Sequence, residues 1–243
     1  MSNHWHGVVT DPEARLPEFL ERFHRLVAKA QNALLDRCEN LWSSDKTSAV
    51  LLVDDADVLD KMAYTIANPT AAGLVRSPHE WPGVVSLPYA KPRSVEMPDV
   101  FFDEDGELDS EASLQFVRPD IFGDLSDETF TARLDEAVAN RVRLARKDIE
   151  QRGLTFLGRK AVLRQPVSET PRKPEARRNP KPRVAAKQTP ARVDAIRRLQ
   201  EFLYAYRSAW SRWREGAREA LFPAGTYALR VNARVCCASA VPS

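Results

Sequence analysis

Two short stretches of this 243-residue chain carry residue types that suit metal and phosphate chemistry. His4 and His6 stand two positions apart in a β-prone run. Alternate side chains of a strand share one face, so both imidazoles could chelate one metal ion. Tyr64 precedes Asn68 by one turn on the polar face of a predicted helix, where a phenol can attack an electrophile held by a metal. The simpler interpretations are an accidental histidine pair and a half-exposed tyrosine whose ring packs on a sheet.

The residues before and within the tyrosine segment predict a strand followed by a helix. The apolar run 49–53 is short and flanked by polar residues, which favours a buried strand. Asp54 or Asp55 can cap the next helix. Pro69 predicts that this helix ends near Asn68, because the residue before a proline avoids helical geometry.

Two further helices are predicted from hydrophobic periodicity. From Leu16 to Leu34 the apolar residues recur with the spacing of one buried stripe, and Pro17 stands where a first helical turn tolerates proline. The opposite face of this helix is basic and supplies three candidate DNA contacts, Arg22, Arg25 and Lys29. Another helix is predicted over 127–152, after a cap at Ser126.

Composition divides the second half of the chain. Residues 90–164 are predicted as an acidic segment and a helix, 165–190 as a Pro/Arg/Lys-rich linker, and 191–243 as a basic helix, over about 192–220, with a C-terminal tail. The linker and the basic helix could bind DNA phosphates, with Trp210 and Trp213 stacking on unpaired bases. An amphipathic helix whose tryptophans pack inward is the favoured interpretation of these two residues.

Three motifs occur in a fixed order within the first 85 residues. Residues 2–6 read Ser-Asn-His-Trp-His, 40–55 contain Asn-Leu-Trp, an apolar run and two aspartates, and 64–75 read Tyr-Thr-Ile-Ala-Asn-Pro-Thr-Ala-Ala-Gly-Leu-Val. They resemble the P-N-H-x-H strand, the H-L-W block with its strand and acidic helix start, and the Y-I-x-x-N-P-x-x-A-G-L-V block of the HUH single-tyrosine transposases of the insertion-sequence and REP-associated type. Residues 156–163 and 222–227 resemble blocks of longer members of this family.

The resemblance implies an α+β fold. Residues 1–89 would form a partial ferredoxin-like HUH catalytic domain, followed by the mostly helical, charge-segregated remainder. The family places a strand, a helix and a strand before the histidine strand, whereas this chain starts at Met1 in the turn itself. We therefore expect a domain without its N-terminal elements, through either a start codon set too far downstream or a truncated gene, with an open sheet edge beside His4.

The resemblance also implies a DNA strand-transfer enzyme that uses a divalent metal ion, Mg or Mn. His4, His6 and Asn68 would hold the ion against the scissile phosphate of single-stranded or hairpin DNA. Tyr64 would attack this phosphate and form a 5′-phosphotyrosine link, with Lys61 as a further phosphate contact. Imidazole ligands favour Mn or another softer ion over Mg.

Two other functions stay open. A catalytically inactive DNA-binding remnant of such a transposase is favoured by the missing N-terminal elements and by the basic residues after Arg159. Alternatively, the acidic segment and the C-terminal helix would form an interaction module for protein partners.

Composition excludes several classes of protein. A hydrophobic content of 43% is too high for wholesale disorder. No apolar stretch approaches the ~20 residues of a membrane span, and the N-terminus lacks the regions of a signal peptide. We therefore expect a cytoplasmic protein without a membrane partner, with a homodimer left open. Lys and Arg number 36 against 34 Asp and Glu, so the net charge of +2 averages an acidic middle and a basic C-terminal half.

Overall fold

The protein is a mixture of helices and short strands, in agreement with the predicted α+β class. The computed structural model describes residues 4–43, 47–87, 93–97, 109–114, 116–166 and 182–240. The acidic run 103–107 and positions 167–181 of the predicted linker lie outside the described residues. No helix in the described ranges combines the length and the apolar character that a membrane crossing requires. In chain order the elements are α1 (Leu16–Leu34), β1 (Leu51–Leu52), α2 (Asp55–Ala71), β2 (Arg93–Glu96), β3 (Glu111–Leu114), α3 (Asp127–Gln151), α4 (Arg159–Arg164), β4 (Val184–Ala185), α5 (Thr189–Arg214) and α6 (Ala228–Ala233).

The chain forms two compact units, each of which is described by itself. The first unit comprises Met1–Val8, Val50–Ser94 and Ser113–Lys187. The second unit comprises Val9–Ala49, Val95–Ala112 and Gln188–Ser243. The long helices α2 and α3 therefore belong to the first unit, and α1 and α5 belong to the second.

The core of the first unit forms where α2 packs along α3. Asp54 occupies the N-cap position of α2. At the start of α3, the Ser126 hydroxyl oxygen accepts a hydrogen bond from the Thr129 N–H at 3.2 Å. The helix predicted over 127–152 is confirmed, because its cap and its apolar stripe are both local signals. The buried members of this core are Val58, Ala63, Ile66, Phe122, Phe130 and Leu134.

Helix α2 ends in a Schellman motif, three residues beyond its predicted end at Asn68. The Gly73 N–H donates to Thr70 O at 2.9 Å, and the Leu74 N–H donates to Pro69 O at 3.0 Å. Gly73 has a φ of +72°, a conformation that strains any residue with a side chain. The prediction that Pro69 ends the helix is wrong: a proline in the last turn removes one N–H donor, and the capping bonds close the turn around it.

The segment after α3 is hydrogen-bonded to the segment after α2. The Leu157 N–H donates to Gly73 O at 2.9 Å, and the Gly158 N–H donates to Leu74 O at 2.8 Å. Residues at the start of the block 156–163 therefore hold the end of the helix that carries Tyr64.

Strand β1 is shorter and more exposed than the buried strand predicted over 49–53. It pairs in parallel with β4, with Leu51 opposite Val184 and Leu52 opposite Ala185. Leu51 is 55% exposed. Strand β4 lies within the range predicted as a linker, so this part of the range has a defined structure. Periodicity could not reveal this pairing, because a strand depends on a partner that lies far away in the sequence.

Residues 4–10 form no strand, which corrects the β-run predicted around His4 and His6. The described residues contain two sheets of two strands each, β1 with β4 and β2 with β3. Neither sheet includes residues 4–10, so this segment has no ladder partner to define it as a strand. These two sheets also have fewer strands than the ferredoxin-like sheet that the resemblance implies.

The core of the second unit lies along α5. The side chains of Trp210 and Trp213 pack against it, and their rings stack with centroids 5.5 Å apart. The inward-packing interpretation of these tryptophans is therefore confirmed. The block 222–227 belongs to the same core, since the Phe222 N–H donates to Cys236 O at 2.8 Å. The buried residues of this core are Ala209, Phe222 and Val235.

In the second unit, the bounds of α1 agree with the prediction from sequence, and the end of α5 differs from it. Helix α1 runs from Leu16 to Leu34 as predicted. Helix α5 ends at Arg214, six residues before the predicted end. Gly216 follows it with a φ of +108°, and the Ala217 N–H donates to Arg212 O at 3.0 Å. The glycine thus stops a helix whose apolar pattern continues.

Replacing Leu134 by alanine should lower the free energy of unfolding by about 2–5 kcal/mol, because the side chain is 2% exposed at the α2–α3 contact. Urea unfolding of the full chain measures this change. Leu144→Ala on the same helix is the matched control, since Leu144 is 52% exposed and should change the free energy by no more than about 0.5 kcal/mol. Equal losses in the two variants would contradict the assigned core.

Candidate active site around Tyr64

Helix α2 places Tyr64 at the surface of the first unit while its neighbours are buried. Ala63 is 0% exposed and Ile66 is 5% exposed, whereas Tyr64 is 36% exposed. Positions two apart on a helix do not face each other, so a helix that buries Ile66 turns Tyr64 away from the same core. The predicted placement of Tyr64 off the core stripe is confirmed, and part of the residue is open to solvent.

The two histidines of the N-terminal motif lie beside Tyr64. The ring centroids of His4 and His6 are 4.9 Å apart, with an angle of 83° between the ring planes. The rings of His6 and Tyr64 are 5.4 Å apart, at an angle of 78°. The structure therefore brings together the three residues that the sequence singles out, although the segment that carries the histidines is not a strand.

The surroundings of His4 and His6 lower the pKa of both imidazoles. Burial is the chief cause that lowers the pKa of His4. Burial also lowers the pKa of His6, and the positive charge of His4 lowers it further. Both effects favour the neutral imidazole, which is the form that binds a metal ion.

The residues that the structure describes offer an amide oxygen near this site. Within the described part of the chain, no three His, Cys, Asp or Glu side chains are grouped so that they could hold one ion. Asn68 lies one turn after Tyr64 on α2 and is 7% exposed. Its Oδ1 atom accepts no hydrogen bond from any described residue. A buried amide oxygen without a partner is costly, and a metal ion is one group that would satisfy it.

Arg141 of α3 is a residue of this site that sequence reasoning missed. Its guanidinium carbon is 5.5 Å from the centroid of the Tyr64 ring, and its Nη2 donates to Asp60 Oδ1 at 2.5 Å. On the other helix, Lys61 Nζ lies 5.7 Å from the same centroid. The Asp60 carboxylate also pairs with Lys61 at 3.8 Å, so one carboxylate balances part of the charge of the two cations beside the ring. The available signal was the run 137–147, which contains four basic residues and no acidic one.

The other candidate DNA contacts lie elsewhere in the chain. Arg22, Arg25 and Lys29 are exposed on α1 and belong to the second unit, whereas Tyr64 and Lys61 belong to the first. The Nε atom of Arg25 forms an ion pair with Glu21 at 3.5 Å. The contact of this α1 face with DNA stays a prediction.

Comparisons of the chain with protein-family models, with curated proteins and with solved structures found no match. Inference about function therefore depends on the geometry around Tyr64 and on the motif resemblance.

The ion pair between Asp60 and Arg141 should be measurable as a coupling energy. Their side chains are 33% and 32% exposed, so we expect a coupling of about 0.5–1 kcal/mol in a double-mutant cycle of Asp60→Asn and Arg141→Gln. Urea unfolding of the four proteins measures it. The pair Asp148 and Arg152 on α3 is the control, because both side chains are 60% exposed and the expected coupling is about 0–0.5 kcal/mol. A coupling no larger than that of the control would contradict the geometry at Tyr64.

Proposed function

We propose that this protein is a metal-dependent DNA nicking and strand-transfer enzyme of the HUH single-tyrosine transposase type, with Tyr64 as the nucleophile. The clustering of His4 and His6 with Tyr64 carries the proposal, because the sequence motif names these residues and the fold gathers them across some sixty positions. In this proposal the first unit is a partial ferredoxin-like HUH domain that acts in the cytoplasm on single-stranded or hairpin DNA. A homodimer is compatible with it.

The reaction is the transfer of a phosphodiester from a DNA oxygen to the tyrosine oxygen. The Tyr64 oxygen forms a bond to phosphorus and loses its proton to solvent, and the bond between phosphorus and the 3′ oxygen breaks. The 3′ oxygen takes up a proton from solvent and leaves as the 3′-OH of the upstream fragment, while the downstream fragment stays linked to Tyr64 through its 5′ phosphate. The phosphodiester bond is conserved, so a 3′-OH can later reverse the attack and rejoin the strand.

The residues around Tyr64 have separate roles in this scheme. His4 and His6 would hold a divalent ion, with Asn68 Oδ1 as the third ligand. The bound ion would neutralise charge that develops on the non-bridging phosphate oxygens. Arg141 and Lys61 would hold the phosphate near the phenol, since they place two positive charges beside its ring.

Purified full-length protein should form a denaturant-resistant adduct with hairpin-bearing single-stranded DNA in the presence of Mn or Mg. We expect Tyr64→Phe to form no adduct and a chelator to prevent adduct formation by the parent. Tyr204→Phe is the matched control and should leave the yield unchanged, because Tyr204 is 76% exposed on α5 in the second unit. The assay is a denaturing gel with labelled DNA. Adduct formation by Tyr64→Phe at the parental level would refute the assigned nucleophile.

Manganese should bind at the histidine pair. Small amounts of Mn²⁺ should broaden the ring NMR signals of His4, His6 and Tyr64 through paramagnetic relaxation. The ring of His79, in the same unit, serves as the internal control and should broaden less than the rings of His4 and His6. Equal broadening of His79 would argue against a specific site, as would unchanged broadening of the Tyr64 ring in a His4→Ala, His6→Ala double variant.

A catalytically inactive DNA-binding remnant is the second candidate function. The observation that favours it is the lack of a strand at 4–10, because an HUH strand in a sheet would hold its histidines more rigidly. This function predicts salt-sensitive DNA binding with no adduct at any metal concentration. The adduct assay therefore separates the two candidates.

A further inference from the structure

A cationic groove lies in the first unit along the C-terminal half of α3. Its volume is about 770 Å³, and its second wall is the segment that follows α2. Its lining includes three aliphatic side chains, called here the aliphatic floor, of Ile66, Val138 and Val142. It also includes four basic side chains, those of Arg76, Arg143, Arg146 and Lys147.

The basic residues of the groove are not neutralised by carboxylates. None of the four forms an ion pair with any carboxylate in the part of the chain that the structure describes. Arginines elsewhere on the long helices do form such pairs, Arg152 with Asp148 at 3.1 Å and Arg197 with Asp194 at 2.6 Å. The groove thus gathers four basic side chains that carry no ion pair to a described carboxylate.

Two of these cations are held in place by neutral acceptors. The Arg146 Nε–H donates to Arg76 O at 2.9 Å, and an Arg143 Nη2–H donates to Asn140 Oδ1 at 2.6 Å. A guanidinium has five N–H donors, so each arginine keeps donors for a further acceptor. An anion bound here would meet oriented donors instead of freely rotating side chains.

The acidic residues of the groove stand at its two ends. Asp135 and Glu150 also line it, as the first and last of its α3 residues. With a rise of about 1.5 Å per residue they are roughly 22 Å apart along the helix axis. Between them, residues 137–147 contain no acid, so the charged residues of this stretch are all basic.

The groove and Tyr64 lie on different sides of α3. Arg141 contacts Tyr64, whereas Arg143, two positions later, lines the groove. Side chains two positions apart on a helix do not face each other. A ligand in the groove is therefore separate from a phosphate at the phenol.

We infer that this groove is a second phosphate-backbone site, which holds a nucleotide of single-stranded DNA away from the phosphate that Tyr64 attacks. Arg76, Arg143 and Lys147 bind the phosphates, and the aliphatic floor covers one face of an unpaired base. The inference depends on the proposed function for its ligand, because that function supplies the single DNA strand. The site contributes to affinity and takes no part in the transfer step.

The test is a salt titration of DNA binding with the full chain, in a chelator so that no transfer occurs. The probe is a fluorescently labelled hairpin-bearing single-stranded oligonucleotide, and anisotropy reports binding. The variant combines Arg143→Gln with Lys147→Gln. The slope of log Kd against log salt should fall by about 1.4 relative to the parent, because each contact to a single strand contributes about 0.7.

The matched control combines Arg133→Gln with Arg152→Gln, which removes the same charge from the same helix outside the groove. It should keep the parental slope. Equal changes in slope for the two variants, or none for the groove variant, would overturn the inference. Thermal unfolding verifies that both variants are folded, which is expected because all four side chains are exposed.

Further measurements separate the inference from the proposed function. Tyr64→Phe should bind DNA with the parental slope, and the groove variant should form the adduct at the parental rate once DNA is saturating. If the parent forms no adduct but the slope changes as expected, the proposed function fails and the groove site stands. If the groove variant formed no adduct at saturating DNA, the groove would affect the transfer step as well as binding, which would overturn the inference. Displacement of the oligonucleotide by a mononucleotide at equal phosphate concentration would indicate a small-molecule site instead.

Discussion

The packing of α2 against α3 is the contact on which the first unit depends. The sheets among the described residues have two strands each, and helix side chains such as Ile66 and Leu134 make the buried core. The same contact determines where charge lies around the candidate site. It brings Arg141 to the ring of Tyr64 on one side of α3 and leaves Arg143 in the basic groove on another. Core and surface electrostatics thus arise from a single helix pair.

Helices were predictable where their signals are local. The bounds of α1 and α3 follow from periodicity, from Pro17 and from the Ser126 cap, all within a few residues of the ends they define. The predictions differ from the structure where the end of an element is determined by a residue distant in sequence or by a local backbone conformation. Strand β1 depends on Val184, more than a hundred positions away, and α5 ends at a glycine turn that its apolar pattern does not reveal.

The candidate site was predictable in its motif residues and not in its surroundings. Residue type and spacing made His4, His6 and Tyr64 candidates, the motif resemblance selected them, and their rings are adjacent. Arg141 was not identified, because its place beside the phenol depends on how α3 packs against α2. No spacing rule connects Arg141 to Tyr64. The motif residues could be read from the sequence, whereas the charged side chains around them depend on tertiary packing.

The hydrogen bonds from Leu157 and Gly158 to the end of α2 have a consequence for how the chain can be divided. The motifs that resemble a catalytic domain end near Val75, yet the turn that closes their last helix is bonded to the backbone some eighty residues later. Buried side chains of α3 pack against another face of that helix. An excised fragment with all the recognisable motifs would expose Ile66 and lose both backbone bonds. The smallest autonomous folding unit is therefore larger than the signature that identifies it, and its C-terminal boundary lies beyond α3.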